Sequence, residues 1–265
     1  MKQYKIIDAH AHIFPQKILP KAVDSIGAFY TLPMSGGKGS AEDLLEQGKK
    51  IGVCNYVVHS VATVPTQVEH INDFIAAETR LHPEFIGFAS LHPGYEKISE
   101  EVQRAIELGL RGIKLHPDFQ KFDIDSPEAL EMYRKIDGRL PILMHMGDRK
   151  LTYSKPERLA RVLEMFPNQV FIAAHLGGYS AWEESKQCLI GKNIFIDTCS
   201  ALPFLSAQEA AEIIRAHGTK RVFFGTDYPM WQHEEELERF LALPLTEQER
   251  EDILFNNAAA LLGVE

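Results

Sequence analysis

The chain has 265 residues, of which 45% are hydrophobic and 25% charged, and its formal net charge is −9. This composition is typical of a folded globular protein and excludes a disordered chain. The acidic balance and the lack of a dense Lys/Arg run argue against general nucleic-acid binding. No secretory signal is visible, the three cysteines lack CxxC spacing, and no apolar run reaches the roughly 20 residues of a membrane span. We therefore expect a cytoplasmic protein that is not anchored to a membrane.

Short apolar runs rich in Val, Ile and Phe recur along the chain. They cover residues 4–14, 55–62, 85–92, 111–117, 141–147, 169–178, 193–200 and 221–229. Runs that are apolar on both faces are typical of parallel strands covered on both sides. The stretches between them are amphipathic, and several begin with capping-box spacing, at Ser40, Thr66, Ser180, Ser206 and Thr246.

Strands that alternate with helices over this length predict an α/β fold, a single-domain (β/α)8 TIM barrel spanning residues 1–265. A doubly wound open sheet is the competing interpretation, but it favours a Gly-rich phosphate loop after the first strand, where this chain has "HAHIFP". Residues 14–40 form a long connection that contains "GGKGS". This segment lacks the Walker pattern, because Leu32 and Gly39 occupy its Gly and Ser/Thr positions. We predict a mobile loop over the barrel mouth instead.

Polar side chains occupy the ends of several predicted strands. Side chains alternate along a strand, so Asp8, His10 and His12 project to the same face. Both histidines lie near the carboxyl end of their strand, where barrel active sites are found. Three further donors end later strands: His145, His175 and Asp227. Four imidazoles and a carboxylate predict a divalent metal, with Zn²⁺ favoured and Mn²⁺, Co²⁺ or Fe²⁺ as rivals.

The strand-end motifs resemble those of a known family. The sequence contains, in order, "DAHAHI", "GIKLHP", "MHMG", "AAHLGG", "GTDYP" and "ILFNNAAALLG". It resembles the amidohydrolase superfamily, and most of all the amidohydrolase-related (amidohydrolase 2) branch that includes the aminocarboxymuconate semialdehyde decarboxylase group. The resemblance covers essentially the whole chain. It implies that His10, His12, His145 and Asp227 bind a metal, and that His175 contacts the metal-bound water or binds a second ion.

Lys114 is the main ambiguity of the predicted site. In some members of the superfamily a lysine on the fourth strand is carboxylated and bridges two metals. Alternatively, Lys114 neutralises a substrate carboxylate or pairs with Asp227. We favour one ion, with two as the alternative, and keep His175 and Lys114 as further candidate ligands. Candidate substrate-binding residues follow or end strands: Lys114, His116, His92, Phe14 and Trp231, with His59 as a weaker candidate.

Two reactions fit these residues. The leading hypothesis is a metal-dependent hydrolase that uses activated water on an amide, ester or lactone of a small molecule. In that reaction Asp227 passes a proton from water to the leaving group, and His175 orients the water. The alternative is a metal-dependent, non-oxidative decarboxylase of a small unsaturated or aromatic acid, with Lys114 or Arg149 as the cationic side chain. A phosphodiester hydrolase and a non-catalytic barrel fit less well. We expect a small-molecule substrate and a homodimer.

Overall fold

The computed structural model describes residues 3–265, and its strands follow the predicted apolar runs. The strands are β1 (Ile6–His12), β2 (Val53–His59), β3 (Phe85–Ser90), β4 (Gly112–Leu115), β5 (Ile142–Met144), β6 (Phe171–Ala173), β7 (Phe195–Asp197) and β8 (Val222–Phe223). They form one eight-stranded sheet in sequence order. Pairing is parallel between β1 and β2 and at each step from β3 to β7. The predicted (β/α)8 barrel is therefore confirmed, while its extent as a single domain over 1–265 stays a prediction.

Helices alternate with these strands. They are α1 (Leu19–Tyr30), α2 (Ala41–Ile51), α3 (Val68–Leu81), α4 (Ile98–Glu107), α5 (Pro117–Gln120), α6 (Pro127–Ile136), α7 (Pro156–Met165), α8 (Trp182–Cys188), α9 (Ala207–His217), α10 (His233–Leu241), α11 (Glu247–Glu251) and α12 (Asn257–Leu262). Among residues 3–265, no helix combines the length and apolar character needed to cross a bilayer. The homodimer and the cytoplasmic location stay predictions.

Sequence signals for helix starts have mixed outcomes. Ser40 accepts a hydrogen bond from the third residue of its helix, and Ser206 and Thr246 form complete capping boxes. The prediction at Thr66 is wrong, because that residue lies inside a short 3-10 turn that precedes α3. The prediction at Ser180 is also wrong. α8 begins two residues later, and the residue before it is Ala181, whose side chain cannot accept a capping hydrogen bond. Spacing alone does not give a serine or threonine the extended backbone that an N-cap requires.

Contacts divide the chain into two compact units, which are described separately. The first unit contains Met1–His59, His82–Ile86 and Thr198–Glu265, and the second contains Ser60–Leu81 and Gly87–Asp197. The core of the first unit includes Ile6, Val58, Phe224, Phe240 and Leu254, all fully buried. The core of the second unit includes Ile75, Phe88, Ile113, Met132 and Phe171, also fully buried. Burying such side chains supplies the main favourable free energy of folding, about 1.5–3 kcal/mol for each one.

The predicted loop at 14–40 contains a helix and several backbone hydrogen bonds. α1 occupies its middle and has no buried residue. The Phe14 amide donates to the Gly39 carbonyl over 2.9 Å, and the Ser35 and Gly36 amides donate to carbonyls at residues 230 and 229. The end of this segment is therefore hydrogen-bonded to the chain that follows β8. Its mobility stays a prediction.

Candidate metal centre

Three predicted donors of the first unit lie close together, and we name them the His10–His12–Asp227 cluster. His10 and His12 occupy alternate positions of the fully buried strand β1, so their side chains leave the same face. Asp227 follows β8 in a left-handed conformation, with φ +57°, and its amide donates to the His10 carbonyl over 2.8 Å. One carboxylate oxygen, Oδ1, lies 3.5 Å from His10 Nε2 and 3.4 Å from His12 Nε2.

These distances fit donors that share a metal ion. Two ligand atoms placed 2.0–2.1 Å from one tetrahedral ion lie about 3.4 Å apart, as the Asp227 oxygen and each imidazole nitrogen do here. All three side chains are buried, with His10 at 0% exposure and His12 and Asp227 at 8%. Buried imidazoles beside a carboxylate are the donor types that zinc and manganese accept. The cluster therefore fits a divalent cation.

Asp8 fixes the backbone on both sides of this cluster. Its Oδ1 accepts hydrogen bonds from the His10 amide at 3.2 Å and the Thr226 amide at 3.0 Å, and its Oδ2 accepts from the Thr226 hydroxyl at 2.6 Å. His233 Nε2 lies 3.0 Å from the same Oδ2. Asp8 is thus occupied in holding His10 and the residue before Asp227, which makes it a support for donors.

His59 belongs to the same group, although its position at the end of a predicted strand made it only a weaker candidate. It ends β2, pairs in register with His12, and is fully buried. Its ring centroid lies 4.4 Å from that of His12 and 4.9 Å from that of His10, with the rings nearly perpendicular. Nitrogen atoms of the three imidazoles lie within 4.8 Å of one another. The register between β1 and β2 places His59 beside His12. That register cannot be predicted from the sequence of either strand alone.

The second unit contains further histidines. His175 Nε2 lies 2.8 Å from His145 Nδ1, and His145 Nε2 lies 2.8 Å from the Gly147 carbonyl oxygen. Since a carbonyl only accepts, His145 Nε2 carries the proton, and Nδ1 accepts from His175. His175 adopts φ +62° after β6, and its amide donates to Asp197 Oδ1 over 2.8 Å. Asp197 therefore holds the backbone of His175.

His116 joins this group by stacking. Its ring lies 3.9 Å from the ring of His145 and 3.8 Å from that of Phe119, each at 9° to parallel. Asp118 Oδ2 accepts a hydrogen bond from Ser154 and lies 3.8 Å from His145 Nε2. Burial raises the pKa of Asp118 to about 7, although the Ser154 hydrogen bond opposes the shift. Imidazole lone pairs lie in the ring plane, so two parallel stacked rings cannot both point at one ion.

The remaining predicted residues lie in varied surroundings. Lys114 is fully buried on β4 and lies opposite Leu143 in register. His92 is half-buried, accepts a hydrogen bond from the Gly94 amide, and has a pKa lowered by burial. In the first unit, the Phe14 ring stacks on His12 at 6.3 Å. The Trp231 indole is buried and donates a hydrogen bond to Ser200. Their roles towards a substrate stay predictions, as do the catalytic roles of Asp227 and His175.

Known structures share this fold over almost the whole chain. An uncharacterised TIM-barrel protein from Bordetella bronchiseptica is 22% identical, with a TM-score of 0.75 over 98% of this chain and 99% of that one. A 2,6-dihydroxybenzoate decarboxylase is 17% identical, with a TM-score of 0.75 over 98% and 99%. A 5-carboxyvanillate decarboxylase from Novosphingobium aromaticivorans with bound manganese is 14% identical, with a TM-score of 0.75 over 98% and 97%. At these identities the likeness shows the fold alone.

The family assignment comes from the sequence itself. No curated protein matches the chain. A family model described as Amidohydrolase, the amidohydrolase 2 type, matches residues 7–264, which confirms the resemblance carried by the strand-end motifs. The match includes every residue of the His10–His12–Asp227 cluster and of the histidine group in the second unit. The chain is therefore a member of the amidohydrolase 2 family, within a superfamily of enzymes.

Proposed function

We propose that the protein is a metal-dependent, non-oxidative decarboxylase of a small aromatic carboxylic acid. The observation that carries the proposal is the convergence of two imidazole nitrogens on one carboxylate oxygen, at 3.4 and 3.5 Å, in a member of this family. Proteins of the same fold include decarboxylases of 2,6-dihydroxybenzoate and 5-carboxyvanillate, which are both aromatic acids. They support decarboxylation, the alternative that the sequence left open, over the hydrolysis that it favoured.

The metal in this proposal is a divalent cation held by His10, His12 and Asp227. Zinc was the first expectation, but two decarboxylases of similar fold are described with bound manganese. Imidazole and carboxylate donors suit both ions, so we choose manganese as the first ion to test. The resemblance adds His145 as a further ligand, and that assignment remains part of the proposal.

Decarboxylation requires one bond to break and one proton to be delivered. The bond between the ring carbon and the carboxyl carbon breaks, its electron pair stays on the ring carbon, and carbon dioxide leaves. When bound, the cation would supply positive charge beside the substrate's carboxylate or a neighbouring oxygen. Asp227 carries the carboxyl group beside the two imidazoles and is ionised when it holds the cation. We therefore assign to its carboxylate the transfer of a proton, taken from the substrate or from water, to the ring carbon that lost the carboxyl group.

A direct assay tests this function. The manganese-loaded protein is incubated with 2,6-dihydroxybenzoate and other ortho-hydroxybenzoates, and separately with the amides and esters of the same acids. We expect the free acids to give carbon dioxide and the corresponding phenol in equal amounts. Asp227→Asn should lower this rate more than about 100-fold, because it removes a ligand and the proton donor together. Asp73→Asn makes the same change on the exposed face of α3 and should leave the rate unchanged.

Other products would contradict the proposal. Release of acid from the amides or esters, with the free acids untouched, would replace decarboxylation by hydrolysis. Carbon dioxide release that is equal in the wild type and in Asp227→Asn would remove Asp227 from the reaction. A protein that takes up no manganese, zinc or cobalt would end the metal-dependent mechanism.

A further inference from the structure

Two consecutive residues that follow β7 contact two different donors of the His10–His12–Asp227 cluster. Cys199 Sγ lies 3.1 Å from His10 Nδ1, and the Ser200 hydroxyl donates to Asp227 Oδ2 over 2.5 Å. We propose that Cys199 and Ser200 are positioning residues of the metal centre, which fix the orientation of His10 and Asp227 and thereby set the affinity for the ion. The inference deepens the proposed function and rests on the metal that it requires.

Cys199 determines which nitrogen of His10 is available. The neutral imidazole carries one proton, so Nε2 can bind a cation only when that proton is on Nδ1. Cys199 Sγ lies 3.1 Å from Nδ1, while Nε2 points to Asp227 at 3.5 Å. In our proposal the proton is on Nδ1 and Cys199 Sγ accepts it in a hydrogen bond, which leaves the Nε2 lone pair for the cation. Partners of this kind hold the ring of a ligating histidine and its tautomer in place. Cys199 is fully buried, so water does not compete for the contact.

Ser200 determines which oxygen of Asp227 is available. Its hydroxyl occupies Oδ2, and the indole N–H of Trp231 donates to the same hydroxyl oxygen over 2.8 Å. The hydroxyl has a single proton, so accepting from Trp231 leaves it free to donate that proton to Asp227. Oδ1 then faces His10 and His12. The hydrogen-bonded series Trp231–Ser200–Asp227 holds the carboxylate in this orientation.

The backbone around these residues is shaped for the contacts. Ser200 adopts φ +49°, a left-handed conformation that non-glycine residues rarely take, and it allows the Cys199 and Ser200 side chains to contact two donors. A Cβ added at Gly225 would lie 3.0 Å from the Cβ of His10 and 3.3 Å from the Cβ of Cys199. A side chain at this position would have to displace His10 or Cys199 by a few tenths of an ångström, so the glycine favours their close approach.

The test measures Mn²⁺ affinity of the full chain by calorimetry and by electron paramagnetic resonance, without substrate. We expect Cys199→Ala and Ser200→Ala each to weaken Mn²⁺ binding about 10- to 100-fold. Cys199→Ser retains an acceptor and should recover part of the loss. Ser200→Gly removes the hydroxyl while suiting the left-handed backbone, so it should weaken binding as much as Ser200→Ala. Cys188→Ala on α8 and Ser25→Ala on α1 make the same changes at partly or fully exposed positions and should bind as the wild type does.

The outcomes separate this inference from the proposed function. Thermal unfolding with a chelator present identifies variants that lose affinity by unfolding, and Cys199→Ser and Ser200→Gly then replace the alanine variants. If the wild type binds Mn²⁺ and both Cys199→Ala and Ser200→Gly bind within about threefold of it, the positioning role is wrong and the proposed function stands. If the wild type binds none of Mn²⁺, Zn²⁺ and Co²⁺, the metal of the proposed function fails, and the positioning role with it.

Discussion

The two histidine groups of this protein differ in what their ring nitrogens face. In the first unit, His10 Nε2 and His12 Nε2 both face one oxygen of Asp227. In the second unit, His145 uses one ring nitrogen on His175 and the other on a backbone carbonyl. The rings of the first unit are tilted or perpendicular to each other, whereas His116 and His145 stack in parallel.

This difference distinguishes a group that already converges on one carboxylate oxygen from a group whose ring nitrogens are hydrogen-bonded. His145 can bind a cation only by giving up one of those two hydrogen bonds. A buried polar atom is costly unless it has a partner, and the second group supplies its own partners through hydrogen bonds. The first group places a carboxylate against two imidazoles, an arrangement that a divalent cation would complete. Both groups consist of histidine and aspartate side chains, so the orientation of the ring nitrogens is what identifies the first group as the candidate metal centre.

The largest expected effect comes from removing a donor of the first group. His10→Ala should weaken Mn²⁺ binding by more than about 100-fold, because loss of a direct ligand must cost more than the 10- to 100-fold typical of an outer partner. His70→Ala removes an exposed histidine of α3 and serves as the matched control. Calorimetric titration of both variants with Mn²⁺ checks the expectation. Equal affinities in the two variants would show that His10 is not a metal ligand.

The second group offers a finer comparison between His145 and His116. The family resemblance predicts His145 as a ligand, whereas His116 lies flat against it and directs no lone pair towards the same point. We expect His145→Ala to weaken Mn²⁺ binding at least about 10-fold, and His116→Ala to change it less than about threefold. The same titration measures both. A loss in His116→Ala as large as in His145→Ala would show that the stacked arrangement changes when metal binds.

A third prediction concerns how Asp118, in the second unit, makes the unfolding free energy of the protein depend on pH. Burial raises the pKa of Asp118 from 3.8 to about 7, so the folded protein keeps a proton there that the unfolded chain has lost. The contribution of the Asp118 carboxyl group to the unfolding free energy is complete below about pH 4, falls as the pH rises towards 7, and changes no further above pH 7. Its slope is at most about 1.4 kcal/mol per pH unit.

Asp118→Asn resembles the protonated carboxyl group and does not titrate. Its unfolding free energy, measured by denaturant titration with a chelator present, should therefore fall less between pH 4 and 7 than that of the wild type. The Ser154 hydroxyl donates to Oδ2, and no hydrogen bond from the described residues reaches Oδ1, so the amide nitrogen has a place without displacing a donor. Parallel curves for the two proteins would show that Asp118 is ionised throughout this range.

The sequence predicted the barrel because strand and helix periodicity are local properties. It also predicted His10, His12 and Asp227 as neighbours, since strand ends of a parallel barrel meet at one end. It ranked His59 as a weaker candidate and did not identify Cys199 and Ser200 as partners of the donors. Strand register places His59 beside His12, and a left-handed residue after β7 brings the Cys199–Ser200 pair to the cluster. The stacking of His116 on His145 also depends on ring orientation, which spacing does not encode.

The smallest prediction applies the same lesson to helix caps, one in each unit. Ser206 and Ser180 share the Ser-x-x-Glu spacing, but only Ser206 accepts the hydrogen bond of its helix, while Ser180 is exposed with φ +59°. Ser206→Ala should therefore destabilise the protein by about 1 kcal/mol, through loss of the cap of α9. Ser180→Ala should change the unfolding free energy by less than about 0.5 kcal/mol, as exposed substitutions usually do. Denaturant titration of the two variants compares them directly, and equal losses would mean that Ser180 caps α8 in solution.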